Sequence, residues 1–284
     1  MMAPVLLWYL IFCYVPMFGI VIAFQKYSPL RGFSGSPWVG WRNFSILFNS
    51  ADFPVVMRNT IVISIYRIVF GFPAPIILAL LFNEVRSKLF KKTTQTIFYM
   101  PHFLSWVITA GLIISILSLK GPVNQFLGFI GFEPQMFMMN PKIFRGILIG
   151  SGIWKEIGWG TLIYLAAIAG IDQELYEAAI IDGAGRLTQA LRITLPSIQS
   201  TIVILFILRM GRILSAGFED ILLLQNAMTA EVSEVLDTYV YKTGIVGADF
   251  SFGTAVGLFK SVIGFALVIM TDRIAKRFGD SSLL

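Results

Sequence analysis

Few side chains in this 284-residue sequence are equipped for chemistry, and most of those that are sit where a charge is expensive. Arg67, Lys155, Glu156, Arg209, Arg212 and Lys260 interrupt stretches built almost wholly from Leu, Ile, Val, Phe and Gly. Charged groups placed at membrane depth bind a polar solute, line a wet path, or pair with one another and with backbone carbonyls. Arg209 and Arg212 are spaced to share a helix face. The neighbours Lys155 and Glu156 point about 100° apart and cannot both face one cavity squarely. Counting about 1.5 Å per residue from the expected outer helix ends, Arg67, Lys155 and Lys260 lie roughly 12–18 Å deep, with Arg209 and Arg212 nearer the outside. A shared polar cavity is the economical expectation; the plainer one is that Glu156 pairs with one or two cations while the others snorkel or bind carbonyls. Trp106, Trp154, Trp159 and Tyr164 offer faces on which a sugar ring can stack, besides their usual service as interfacial anchors and packing. His102 and Cys13 read as core or helix-end residues. With one histidine and one cysteine there is no metal-ligand spacing and no internal disulfide, and a single intramembrane carboxylate is too little for a membrane enzyme's acid–base constellation.

The elements that must position these residues follow from composition. Hydrophobic residues make up 56% and charged residues 13%, with a mean hydropathy of +0.78, which leaves too little polar surface to coat a water-soluble domain. The excess of 22 Lys+Arg over 16 Asp+Glu would suggest nucleic acid in a soluble protein, but the charges cluster in short connections between apolar runs, as at a lipid surface, so membrane lipid and no nucleic acid is expected. The whole of 1–284 reads as a single all-α integral membrane domain with about six transmembrane helices, at 1–24, 59–82, 93–119, 144–171, 196–216 and 252–271. The first run is too long and aromatic for a signal peptide's apolar core, and Pro73 and Pro75 are expected to kink the second. Arg86, Lys88, Lys91 and Lys92 after the second helix, with Arg273, Lys276 and Arg277 after the sixth, place both termini in the cytoplasm of a bacterial cytoplasmic membrane. Lys26, Arg31 and Arg42 run against that rule. The connection from Phe218 to Phe250 carries Glu219, Asp220, Glu231, Glu234, Asp237 and Asp249 and is expected outside, as an acidic docking face or a gate.

The most specific pattern lies at 173–195, on the cytoplasmic side of this topology. Glu177, Ala178 and Ala179 are followed by Asp182 and Gly183, then after nine residues by Ile193, Leu195 and Pro196. Small residues let a helix seat closely in a groove, Gly183 and Gly185 supply the backbone freedom to end it, and Pro196 suits a helix start. This spacing resembles the EAA motif of permeases in binding-protein-dependent ABC importers. Tyr14-Val15-Pro16-Met17-Phe18-Gly19, Gly71-Phe72-Pro73-Ala74-Pro75-Ile76, Gly217-Phe218-Glu219-Asp220 and Val235-Leu236-Asp237-Thr238-Tyr239 extend the similarity over nearly the whole chain, towards the complex-sugar permeases of the lipoprotein-associated and alginate-type branch.

The resemblance implies the type I importer permease fold, a cytoplasmic coupling helix carrying Glu177, Ala178, Ala179, Asp182 and Gly183, and alternating access that moves a sugar or oligosaccharide inwards. It also implies partners: two ATPase subunits, a second permease and an extracytoplasmic solute-binding protein. No Gly-x-x-x-x-Gly-Lys-Ser/Thr stretch is present, so no cofactor is expected in this chain and ATP and Mg belong to the ATPase subunits. An ion-coupled secondary transporter would share kinked helices and buried charges but not the coupling motif. The excess of Arg67, Lys155, Arg209, Arg212 and Lys260 over Glu156 points to an acidic solute, with these six and Trp154 along its path.

Overall fold

The computed structural model describes residues 2–278, with side chains to residue 276, so Met1 and the Arg277 side chain lie outside the described residues. The long helical elements are α1 (Ala3–Phe24), α2 (Phe53–Glu84), α3 (Lys88–Phe103), α4 (Trp106–Ile116), α5 (Pro141–Ala169), α6 (Gln173–Ile181), α7 (Arg186–Ser197), α8 (Gln199–Gly211) and α9 (Phe250–Phe278). Among the described residues the only β feature is an isolated bridge between Gln25 and Trp38. Helices α1, α2 and α9 are each long and apolar enough to cross a bilayer, and α3 with α4 and α7 with α8 qualify as bent pairs. At 29 residues α5 has the length, but Lys142, Arg145, Lys155 and Glu156 dilute its apolar character. With each bent pair taken as one crossing, these make the six expected.

Prolines shape three of the crossings in one way. A proline lacks the N–H that would close the turn behind it, and its ring crowds that turn. Pro16, Pro73 and Pro196 each follow a widened π turn, at Leu10–Tyr14, Arg67–Gly71 and Ala190–Thr194. In α2 the Phe72 N–H reaches back five residues to the Arg67 carbonyl, at 3.1 Å. The second helix therefore runs unbroken from Phe53 to Glu84, the extra residue in the turn absorbing the crowding that Pro73 brings.

The third expected helix, 93–119, is two helices meeting at 105°. Pro101 cannot donate to the turn before it, Leu104 and Ser105 go extended, and the Ser105 hydroxyl accepts from the Ile108 N–H at 3.3 Å to start α4 afresh. The fifth helix, expected at 196–216, instead starts at Arg186 with α7, turns by 62° after Pro196 and ends at Gly211. The fourth and sixth differ from expectation only at their ends.

Helix α5 is central, lying along α2 and touching α3 and α8, while α8 lies along α9. Ile63, Phe144, Leu148, Ile221 and Val235 form one core, and Ile76, Tyr164, Ile168 and Ile198 another at the end bearing α6. The acidic connection before α9 is no free loop. Its short helices, Glu219–Leu224, Ala230–Ser233 and Leu236–Val240, fold back into the bundle. Asn59 of α2 donates to the Glu231 and Glu234 carbonyls at 2.9 and 3.1 Å, and Arg145 of α5 donates to Val232 O at 2.9 Å and to Asn59 Oδ1 at 2.8 Å. Most of its acids are engaged internally: Asp220 by Arg67, Glu234 by Lys242, Asp237 by Lys260, and Asp249 by the Phe252 N–H. That leaves Glu219 and Glu231 as the exposed acids of the segment with no ion pair or side-chain hydrogen bond among the described residues.

Candidate functional site

A cavity of about 630 Å³ opens where α2, α4, α5 and α8 converge on the segment after α8. Its floor and walls are largely apolar, from Phe72, Pro75, Ile153 and Leu205, with Trp106, Trp159 and Tyr164 adding rings. Its charges are Arg67, Glu156, Arg209, Glu219 and Asp220. Local folding puts them there. Arg67 opens the π turn of α2, Glu156 sits mid-way along α5, Arg209 is in the last turn of α8, and Glu219 and Asp220 start the helix beyond.

Gly217 makes this corner possible. Its φ of +108° is open to glycine, and a Cβ there would lie 2.6 Å from both Arg67 Nη1 and Asp220 Oδ1. Arg67 Nη2 bonds Asp220 Oδ2, with the two side chains 19% and 3% exposed. Glu156 accepts or donates a 2.9 Å hydrogen bond with His102 Nδ1, according to their protonation. Arg209 forms no ion pair with any described residue.

The other expected path residues lie elsewhere. Lys155 turns away from the cavity, is 4% exposed, and donates to the carbonyls of His102 at 2.9 Å and Leu104 at 2.6 Å, with a longer 3.4 Å contact to Pro101. Those carbonyls belong to the α3–α4 break, where chain geometry denies them helical partners, so the ammonium does the capping. Lys260 bonds Asp237. Arg212 is the residue capping α8 and Trp154 is half-exposed on α5; neither lines the cavity. The structure therefore brings together Arg67, Glu156 and Arg209 and leaves out Lys155, Arg212, Lys260 and Trp154. Two carboxylates join them, so the expected cation excess does not exist in the cavity, and Glu156, read as the sole intramembrane carboxylate, is accompanied by the buried Asp220.

At the end of the bundle away from Gly217, α6 projects from the core and packs against it through Tyr176. None of its nine residues is buried, and Leu175, Ile180 and Ile181 are exposed. Asp172 caps its start by accepting from the Glu174 N–H at 3.0 Å. At its end the Gly183 N–H donates to Ile180 O at 3.0 Å and the Ala184 N–H to Ala179 O at 2.8 Å, the paired bonds of a Schellman turn, with Gly183 at φ +78°. Glu177, Ala178 and Asp182 are exposed and Ala179 is partly covered. A hydroxyl pair, Tyr176 with Thr194 at 2.8 Å, ties the helix to the foot of the α7–α8 crossing, and Arg186 lies 3.8 Å from Glu84.

Residues 71–280 match the family described as binding-protein-dependent transport system inner membrane component. The chain belongs to that family. Over its full length it is 49% identical to the polygalacturonan/rhamnogalacturonan transport system permease protein YteP of Bacillus subtilis strain 168, covering 88% of that relative, and 45% identical to protein LplB of the same organism, covering 89%. A chain in the crystal structure of a bacterial ABC transporter involved in the import of the acidic polysaccharide alginate is 43% identical, with a TM-score of 0.90 over 98% of this chain and 94% of that one. A second structure, of a bacterial alginate ABC transporter with an alginate pentasaccharide-bound periplasmic protein, gives 42% identity and a TM-score of 0.91 over 99% and 94%.

Three cavity-side residues of this permease escape sequence reasoning. Glu219 and Asp220 were assigned to an outer loop, although the Gly217-Phe218-Glu219-Asp220 phrase that carries part of the family resemblance was the available signal. His102, read as a helix-end residue, stacks on Trp159 with ring centroids 4.5 Å apart and planes 2° from parallel.

Proposed function

We propose that this multi-pass permease carries an acidic oligosaccharide through the Arg67–Glu156–Arg209 cavity into the cytoplasm, driven by separate ATPase subunits seated on α6. The observation that carries the proposal is Arg209. It is a guanidinium in a ring-lined cavity that forms no salt bridge with a described residue, Glu156 acting on it only at longer range, while Arg67 is already paired with Asp220. A uronate carboxylate supplies the missing acceptor, and guanidinium–carboxylate pairing is strong and directional. Local pairing replaces the net-charge argument, because the cavity's acids outnumber its bases. The names of two relatives, one for polygalacturonan and one for alginate import, support an acidic sugar chain.

In this assignment Glu177, Ala178, Ala179, Asp182 and Gly183 form the surface that meets the ATPase, the exposed Leu175, Ile180 and Ile181 give it apolar area, and both termini face the cytoplasm. The chain performs no chemistry itself. ATP and Mg bind the ATPase pair, a second permease completes the cavity, and an extracytoplasmic binding protein delivers the solute.

The test reconstitutes the complex and compares uptake of trigalacturonate with that of maltotriose, in the parent and in Arg209→Gln. Preference for the acidic trisaccharide, reduced about tenfold in the variant, is expected. Equal uptake of the two sugars by the parent, or an unchanged variant, would refute the acidic assignment.

A further inference from the structure

Trp159 is held in a way that ordinary packing does not require. One face of its indole is covered by the His102 imidazole in a parallel stack, and its edge meets Phe103 at 82° with centroids 5.9 Å apart. It lines the cavity and remains 45% exposed. His102 itself is fixed from two sides. Its side chain bonds Glu156 at 2.9 Å, and its carbonyl receives the Lys155 ammonium at 2.9 Å. The adjacent residues 155 and 156 thus grip the same residue of the α3–α4 break, one by its backbone and the other by its ring. The two grips point apart as neighbours on a helix must.

An exposed indole at membrane depth, with its back supported by a second flat ring, is a rigid plate facing a polar space. Sugar rings present an apolar C–H face that stacks on such a plate, a contact indifferent to the sugar's charge. An unsupported indole would rotate about two side-chain bonds and surrender part of that binding to ordering. Trp106, the other cavity tryptophan, has the Lys155 ammonium 5.5 Å from its ring centroid, so both rings are attached to the one break.

We propose that Trp159 is the saccharide-stacking plate of the cavity and that His102, held by Glu156, is the residue that positions it. This rests on the cavity being the solute path. Its contribution is separable from that of Arg209, since the plate reads ring shape where Arg209 reads a carboxylate.

The experiment titrates the detergent-solubilised complex, without binding protein, with trigalacturonate and with maltotriose, following the heat of binding by calorimetry, with gel filtration reporting assembly. Trp159→Ala is expected to raise the half-saturating concentration of trigalacturonate about tenfold and His102→Ala about fivefold, while His102→Phe, which keeps a flat ring behind the indole, stays within about twofold of the parent. The proposal falls if Trp159→Ala binds as the parent does, if His102→Ala stays within twofold, or if His102→Phe is as weak as His102→Ala. Should His102→Ala not assemble, Trp159→Phe decides in its place. Binding nearer the parent than to Trp159→Ala supports the plate, and binding equal to Trp159→Ala overturns it. The acidic-solute assignment fails differently, through equal affinity of the parent for the two sugars or an unaltered Arg209→Gln, and either result leaves the Trp159 outcome standing.

Discussion

Removing one member of the Arg67–Asp220 pair should destabilise the permease by an amount that depends on which member is left behind. Stranding one charge of a buried pair costs about 3–5 kcal/mol. Asp220→Asn strands Arg67, whose side chain is 19% exposed and can draw on water in the cavity, so the loss belongs near the low end, about 3 kcal/mol. Arg67→Met strands Asp220, which is 3% exposed, and belongs near about 5 kcal/mol. The double variant holds neither charge and is expected within about 2 kcal/mol of the parent, above both single variants. Thermal unfolding of the assembled complex at one fixed heating rate reads this out, at about 2 °C per kcal/mol for a chain of this size, giving losses of about 6 °C and 10 °C. The reasoning is refuted if Asp220→Asn loses more than Arg67→Met, or if the double variant melts below both.

Gly217→Ala should lower the melting temperature by several degrees, because alanine is strained at φ +108° and its Cβ meets the Arg67–Asp220 pair; a smaller loss in an Asp220→Ala background, which removes the clashing oxygen and frees the guanidinium to move, would show that the clash is with the pair. Glu177→Lys and Gly183→Pro should assemble poorly with the ATPase or hydrolyse ATP without uptake, the first by inverting an exposed charge and the second by removing the N–H that closes the Schellman turn; normal recruitment with normal uptake would sink the coupling role. Lys155→Met should cost about 1–3 kcal/mol, since two partly buried carbonyls of the α3–α4 break lose a charged donor, and a melting temperature within a degree of the parent would show that the break stands without it.

The six crossings and the α6 turn were legible because each is written in local pattern: apolar length for the first, and a Glu-Ala-Ala run closed by glycine at fixed spacing for the second. The α3–α4 break was not. Pro101 lies in a run whose apolar character continues unbroken to Leu119, and the ammonium that stabilises the break is 54 residues from Pro101. Periodicity correctly put Lys155 and Glu156 on different faces but could not say which face held the cavity. The acidic segment misled for a similar reason. A count of six acids against Lys242 suggests a solvated loop, yet Arg67 and Lys260 on distant helices answer two of those acids, and pairing across such separations leaves no mark in a single sequence.

The Arg67–Asp220 bond also sets a timetable for biogenesis. The partners are 153 residues apart, so at a synthesis rate of about 5–20 residues per second the guanidinium is made about 8–30 s before the carboxylate that will neutralise it. The Lys260–Asp237 bond runs the other way, with the carboxylate first and a delay of only about 1–5 s over 23 residues. Through that interval the second crossing carries an unpaired guanidinium, a cost of about 2.5–3.5 kcal/mol at the helix centre that its apolar residues and snorkelling towards water offset. The turn after α8 then relieves a cost the helix has already carried alone.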